Sequence, residues 1–127
     1  MEYVVLAGRI LFAAIFIMAG PNHFTAGSIR YSEAKKVPLA RISVPLSGII
    51  AFIGGMCILL GYDAKFGAWL IVVFLLPVTY MMHDFWTVED PMQRLVQRAH
   101  FMKNLAMIGA AFQIAWFGSG PLSLDNF

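Results

Sequence analysis

The chain has 127 residues, room for one domain. Of these, 60% are hydrophobic and 13% charged, well below the roughly one quarter charged in a soluble domain, so a water-soluble globule is excluded. A net charge of +2 does not point to nucleic acid, and the single cysteine, Cys57, rules out an internal disulfide or a Cys-x-x-Cys redox pair.

The first apolar segment runs from Tyr3 to Gly20, interrupted only by Arg9 and broken by Gly20-Pro21. It predicts a helix over about 2–22. Arg9 followed by Ile10 to Met18 resembles a signal peptide, but Glu2 weakens the positive start and no A-x-A-like site lies near Ala19. We therefore expect the helix to be retained. The stretch from Thr25 to Arg41 is polar and basic. Within it, Tyr31 to Lys36 predicts an amphipathic turn on the membrane surface, ended by Pro38.

Two further spans follow. Ile42 to Tyr62 carries no charge and predicts a helix over 42–61, in which Cys57 is a small buried hydrophobe. Phe66 to His83 contains Pro77 and predicts a helix over 65–85. A span needs roughly 20 residues to cross about 30 Å of hydrocarbon, so all three segments qualify. Pro77 is tolerable where neighbouring helices satisfy the freed backbone groups.

The last apolar run, Leu105 to Phe117, is too short, at roughly 20 Å of helix. Extension back through Asn104, Lys103 and His100 gives a helix over 98–118. Asp90-Pro91 marks a break before an amphipathic lead-in, Met92 to Arg98.

The expected fold is an all-α integral membrane four-helix bundle, up-down and antiparallel, with residues 1–127 as a single domain. Ser47, Ala51 and Gly55 form one small-residue ridge, and Ala106 and Ala110 another, suited to close helix approach in lipid. Arg30, Lys35, Lys36, Arg41, Arg94, Arg98 and Lys103 gather on the two loops that share one side, whereas the opposite side holds Arg9 and Lys65. The positive-inside rule then puts both termini outside.

Ionisable groups inside a span are costly and turn toward the bundle interior. Tyr80, His83 and Asp84 share a face at the end of the third span, and His100, Lys103 and Asn104 share one at the start of the fourth. His23 belongs to the same membrane boundary. One reading is structural: Lys103 snorkels, Tyr80 and Trp86 are interfacial aromatics, the histidines meet carbonyls, and Asp84 pairs with Lys103. A second is a polar pocket for a quinone headgroup, with histidine donors facing its carbonyl oxygens and supplying a proton on reduction. A metal site from His23, His83, Asp84 and His100 lacks supporting ligand spacing, so none is assigned. A haem between two histidines is the remaining alternative. At the other boundary, Arg9 either snorkels or pairs with Asp125, which would tie the tail over the bundle mouth.

An ordered set of short pieces spans the chain. Gly8-Arg9-Ile10-Leu11-Phe12 opens it, then Gly61-Tyr62 with Gly67-Ala68-Trp69-Leu70. Met82-His83-Asp84-Phe85-Trp86, Asp90-Pro91-Met92 and Phe101-Met102-Lys103-Asn104-Leu105-Ala106 follow, and the stretch from Phe117 to Asp125 closes it. Together they resemble the DoxX family of small bacterial membrane proteins. The resemblance implies a multi-pass protein of the bacterial inner membrane. It also implies quinone-linked redox chemistry, because the family is similar to a subunit of an archaeal thiosulfate:quinone oxidoreductase. No covalent cofactor is expected, and whether the chain is itself an enzyme is left open. Related four-helix membrane proteins look like assembly factors or cargo receptors, so a non-enzymatic scaffold, assembly factor or carrier is the alternative. Expected partners are the lipid bilayer and membrane or redox proteins; oligomerisation is open and no nucleic acid is expected. Nothing catalytic is carried over to Asp84.

Overall fold

The computed structural model describes residues 1–126. It contains five α-helices: α1 (Glu2–Asn22), α2 (Ala26–Ala34), α3 (Ala40–Leu60), α4 (Ala64–Met82) and α5 (Pro91–Phe117). A 3-10 turn, Phe85–Thr87, joins α4 to α5, and another, Leu124–Asn126, ends the tail. Three of these elements, α1, α3 and the stretch from α4 to Thr87, are long and apolar enough to cross a membrane.

The helices pack in chain order, α1 on α3, α3 on α4 and α4 on α5. Small residues set the approach. Gly55 of α3 packs on Ala13 and Ile17 of α1, Gly48 packs on Gly20 and His23, and Gly54 meets the backbone of Gly67 in α4. Ala51 is fully buried between these contacts. Lipid supplies no hydrophobic drive between helices, so close packing of this kind holds the bundle. Phe16 of α1 meets Phe74 of α4 edge to face at 6.3 Å, filling the centre. The outward side chains are apolar, Leu11, Leu76 and Trp116 among them, as lipid contact requires.

Three expectations need correction. Ala106 and Ala110 do not form an interhelical ridge: both are exposed, and α5 instead buries Asn104, Ile108 and Ala111. Turning Asn104 inward toward Thr79 sets this rotation. The basic loop after α1 holds a full helix, α2, rather than one turn; Thr25 caps it by accepting from the Ser28 N–H at 3.1 Å. The lead-in at Met92 is continuous with the last helix. Asp90 accepts from the Gln93 N–H at 3.1 Å and Pro91 occupies the first turn, starting a 27-residue α5 of about 40 Å.

The fourth expected span falls within α5, which is not among the helices apolar enough to cross a membrane. Its first half is too polar to count as hydrocarbon-facing, carrying Arg94, Arg98, His100 and Lys103. Its second half runs antiparallel along α4. Asn104 meets Thr79, Phe112 meets Trp69, and Ser119 meets Ala64. That half therefore shares the depth of α4 from end to end. The molecule is a helical membrane bundle with two ends, a loop end bearing α2 and a terminal end bearing the tail.

Candidate functional site

At the loop end, α2 lies across the gap between the end of α1, the start of α3 and the end of α4. The partly open cavity there has a volume of about 520 Å3. Its walls are mostly apolar, with Val44 from α3 and Phe74, Val78, Met81 and Met82 from α4. Two histidines reach it, His23 just beyond α1 and His83 at the end of α4. Ser28, Tyr31 and Ser32 face it from α2, and Ser43 and Ser47 from α3.

The direction of each hydrogen bond fixes what this lining offers. His23 Nδ1 lies 2.7 Å from the Ala19 carbonyl oxygen. A carbonyl only accepts, so Nδ1 carries a proton, and in that tautomer Nε2 is an acceptor. His83 Nδ1 lies 2.8 Å from the Gln97 side-chain amide, which can accept from the ring or donate to it, so this contact leaves either ring nitrogen free to carry the proton. The serines spend their protons locally. Ser28 donates to the Asn22 carbonyl, Ser32 to Ser28, Ser43 to Pro38 and Ser47 to Val44, at 2.7–2.9 Å. What they turn to the cavity is lone pairs. The lining is therefore rich in acceptors, with the Tyr31 hydroxyl as a remaining donor.

The other polar residues of this end separate from the cavity. His100 stacks on His83 with ring centroids 5.1 Å apart, and Lys103 Nζ lies 3.5 Å from His100 Nδ1. Asn104 is buried and donates to Thr79 Oγ1 at 3.1 Å, tying α5 to α4. Tyr80 faces outward beside Trp86, as an interfacial aromatic. Asp84 pairs with Lys35, not with Lys103, and also accepts from Thr87 Oγ1 at 3.0 Å. The physical reason is reach. Lys35 directly follows α2, which brings it over the end of α4, whereas Lys103 sits on the exposed side of α5. Among the described residues, no three His, Cys, Asp or Glu side chains converge to hold a metal.

Sequence reasoning missed Lys35 and Gln97 as partners and the serines as lining. Lys35 had been read only as a topological charge. The capping sequence from Thr25 to Ser28 was the available signal for α2.

At the terminal end, Arg9 is buried and donates from Nη2 to the carbonyls of Pro121, at 2.9 Å, and Leu122. The expected Arg9–Asp125 pair is replaced by this contact. The Asp125 carboxylate instead accepts from the Asp63 N–H at 3.0 Å and from the Ser119 hydroxyl. Ser119 and Asp63 hold it below the usual carboxylate range. The tail does close over the bundle mouth, through carbonyls and the α3–α4 turn.

Comparison with known proteins agrees with this architecture. Inner membrane protein YqjF of Escherichia coli (strain K12) is 33% identical over 96% of the chain and 89% of its own length. Inner membrane protein YphA of the same organism is 23% identical over 97% of the chain and 89% of its own length. A surfeit locus protein 4 homolog of Schizosaccharomyces pombe is 26% identical over 98% of the chain, which spans 37% of that protein. No solved structure matches. The likeness to the two Escherichia coli proteins makes this a multi-pass protein of the inner membrane. The sequence model of the DoxX family matches residues 4–84, from α1 through the end of α4 and including both cavity histidines, and the chain belongs to the DoxX family.

Proposed function

We propose that the chain binds a lipid-soluble quinone in the loop-end cavity and serves as part of, or ancillary to, a quinone-linked oxidoreductase of the inner membrane. The observation that carries this reading is the pairing of two histidines with a mostly apolar, serine-flanked cavity at a membrane boundary. The volume is within the range of small-molecule sites, roughly 300–1,000 Å3, and mostly apolar walls suit an aromatic headgroup on a greasy chain. The acceptor-rich lining favours the reduced form. A quinol has two hydroxyl donors for His23 Nε2 and the serine oxygens, whereas a quinone has only acceptors and leaves those groups unanswered. The positive-inside rule supports a cytoplasmic position for this cavity with both termini outside.

The test is equilibrium binding of a short-chain benzoquinone and its quinol to the purified protein in detergent. Saturable binding, tighter for the quinol and weakened by His83→Ala or His23→Ala, is expected. Absence of saturable binding of either form would overturn the reading.

A second reading follows from the internal pairing at this end. Asn104 with Thr79, Asp84 with Lys35 and His83 with Gln97 all join elements of the bundle. A non-enzymatic scaffold, assembly factor or carrier needs these groups only for structure. That reading expects His23, His83 and His100 to tolerate substitution in function, while enlargement of Gly48 or Gly55 does not. Complementation in cells with these variants separates the two.

A further inference from the structure

We propose that the terminal end carries a second binding site, for an oxyanion, built on Arg9 and covered by the C-terminal tail. Arg9 is only 5% exposed. A guanidinium keeps its charge in any protein setting, so its burial has to be offset by acceptors. Only Nη2 has them, in the Pro121 and Leu122 carbonyls. Nε and Nη1 are buried with no partner. No carboxylate answers the charge either. Among the described residues the ion pairs are Lys35–Asp84 and Arg41–Glu33, and Asp125 is committed to Asp63 and Ser119. A buried cation with three unanswered N–H bonds is matched by a group with several anionic oxygens, such as phosphate or sulfate.

The tail is the cover. Gly118, Gly120 and Leu122 all have left-handed backbone, at φ 85°, 76° and 54°. Leu122 is not a glycine and is strained there. These turns aim the two carbonyls at Arg9. The tail is fastened to the bundle by the Asp125 N–H on the Gly61 carbonyl and the Asp125 carboxylate on the Asp63 N–H. Position 61 has to be glycine, because a Cβ there would overlap both Arg9 Nη1 and Ser123. The neighbouring surface crevice holds Lys65 with Asp63 and Asp125, so it is net acidic and is not itself the anion site. An anion reaches Arg9 once the two carbonyls leave Nη2, and its several oxygens then answer Nε and Nη1 as well, exchanging dipoles for a full opposite charge. The tail lifts about Gly118 and Gly120 as it does so. Binding and tail release are one event.

The test uses the full chain in neutral detergent. It is titrated with inorganic phosphate against chloride at constant ionic strength, and separately with phosphatidylglycerol against phosphatidylcholine. Thermal unfolding and hydrogen exchange across residues 119–126 are followed. A saturable rise in Tm with faster exchange in the tail is expected for at least one probe. A response to phosphate identifies a free oxyanion, and a response to phosphatidylglycerol alone identifies a lipid headgroup. Arg9→Met removes the response. Should that variant fail to fold, Arg9→Lys keeps the charge but loses the planar fork and binds about tenfold more weakly or worse. The proposal is overturned by no saturable response to either probe, by an equal response in the Arg9 variant, or by slower exchange in the tail on binding.

Discussion

Lys35→Met keeps the length of the side chain and removes its charge, leaving Asp84 without its cation. The size of the loss follows from the exposure of the pair. The Lys35 and Asp84 side chains are 21% and 22% exposed. An exposed pair contributes about 0–1 kcal/mol, and breaking a fully buried one costs about 3–5 kcal/mol. This pair lies between those limits, and Asp84 retains its bond from Thr87. A loss of about 1–2 kcal/mol is expected. The assay is thermal or denaturant unfolding in detergent of Lys35→Met, Asp84→Asn and the double variant. A coupling of similar size should appear, because the second change removes the charge that the first one stranded. Hydrogen exchange adds a local readout: α2 packs mainly on α3, so without its tie to α4 its amides should exchange faster while those of α3 do not. Lys103→Met, on the exposed side of α5, should cost no more than about 1 kcal/mol and show no coupling to Asp84→Asn. Additivity of Lys35→Met with Asp84→Asn, or coupling of Lys103 to Asp84, would refute this account of how α2 is held.

Gly61→Ala should destabilise by at least about 1–2 kcal/mol from the left-handed φ of 68° alone, and should release the tail, measured as unfolding and as exchange across residues 119–126. Asn104→Leu should leave Thr79 unanswered and cost about 0.6–1 kcal/mol in unfolding in detergent, whereas the pair of changes Asn104→Leu and Thr79→Val should recover part of it. The tail fastening should depend on acid. Asp125 is held below its ordinary range when folded, so its contribution is fully present above the ordinary carboxylate range and is lost as pH falls through the lowered folded value, which acid-titrated tail exchange in wild type against Asp125→Asn would detect. For topology, a reporter active only in the cytoplasm should work when inserted near Lys35 and fail when fused to the C-terminus, and the opposite pattern would invert the orientation.

The spans were readable because lipid imposes one rule on a long segment: it must be apolar along most of its length. That rule located α1, α3 and α4 to within a few residues. It could not find α2, whose nine residues mix Ser28, Arg30 and Glu33 with Ile29 and Tyr31 and depend on a Thr25 cap and on α3 for support. Nor could it orient α5. Ala106 and Ala110 look like an interface by spacing, yet the helix turns on Asn104, whose buried amide finds Thr79. A polar atom in a span outweighs two small residues, because it needs one particular partner. The candidate site was legible in the same limited way. Costly polar residues near one boundary were visible as a group, but the pairing was not. Asp84 chose between Lys35 and Lys103 by helix position, which spacing along α4 and α5 does not encode.

The two ends of the bundle differ in the sign of what they leave unmatched. At the loop end the protons of His23 and four serines are spent within the protein, so acceptors are in surplus. At the terminal end the surplus is in donors, on Arg9 Nε and Nη1. In a membrane, water does not reach most such groups, and each unmatched one costs free energy until something answers it. A surplus of acceptors calls for a ligand that donates, and a surplus of donors on a fixed charge calls for an anion. The two requirements are independent. Loss of quinol binding in His83→Ala should leave the anion response intact, and loss of the anion response in Arg9→Met should leave quinol binding intact. A single variant that abolished both while the protein remained folded would mean that one site, or one transition spanning the bundle, underlies both surpluses.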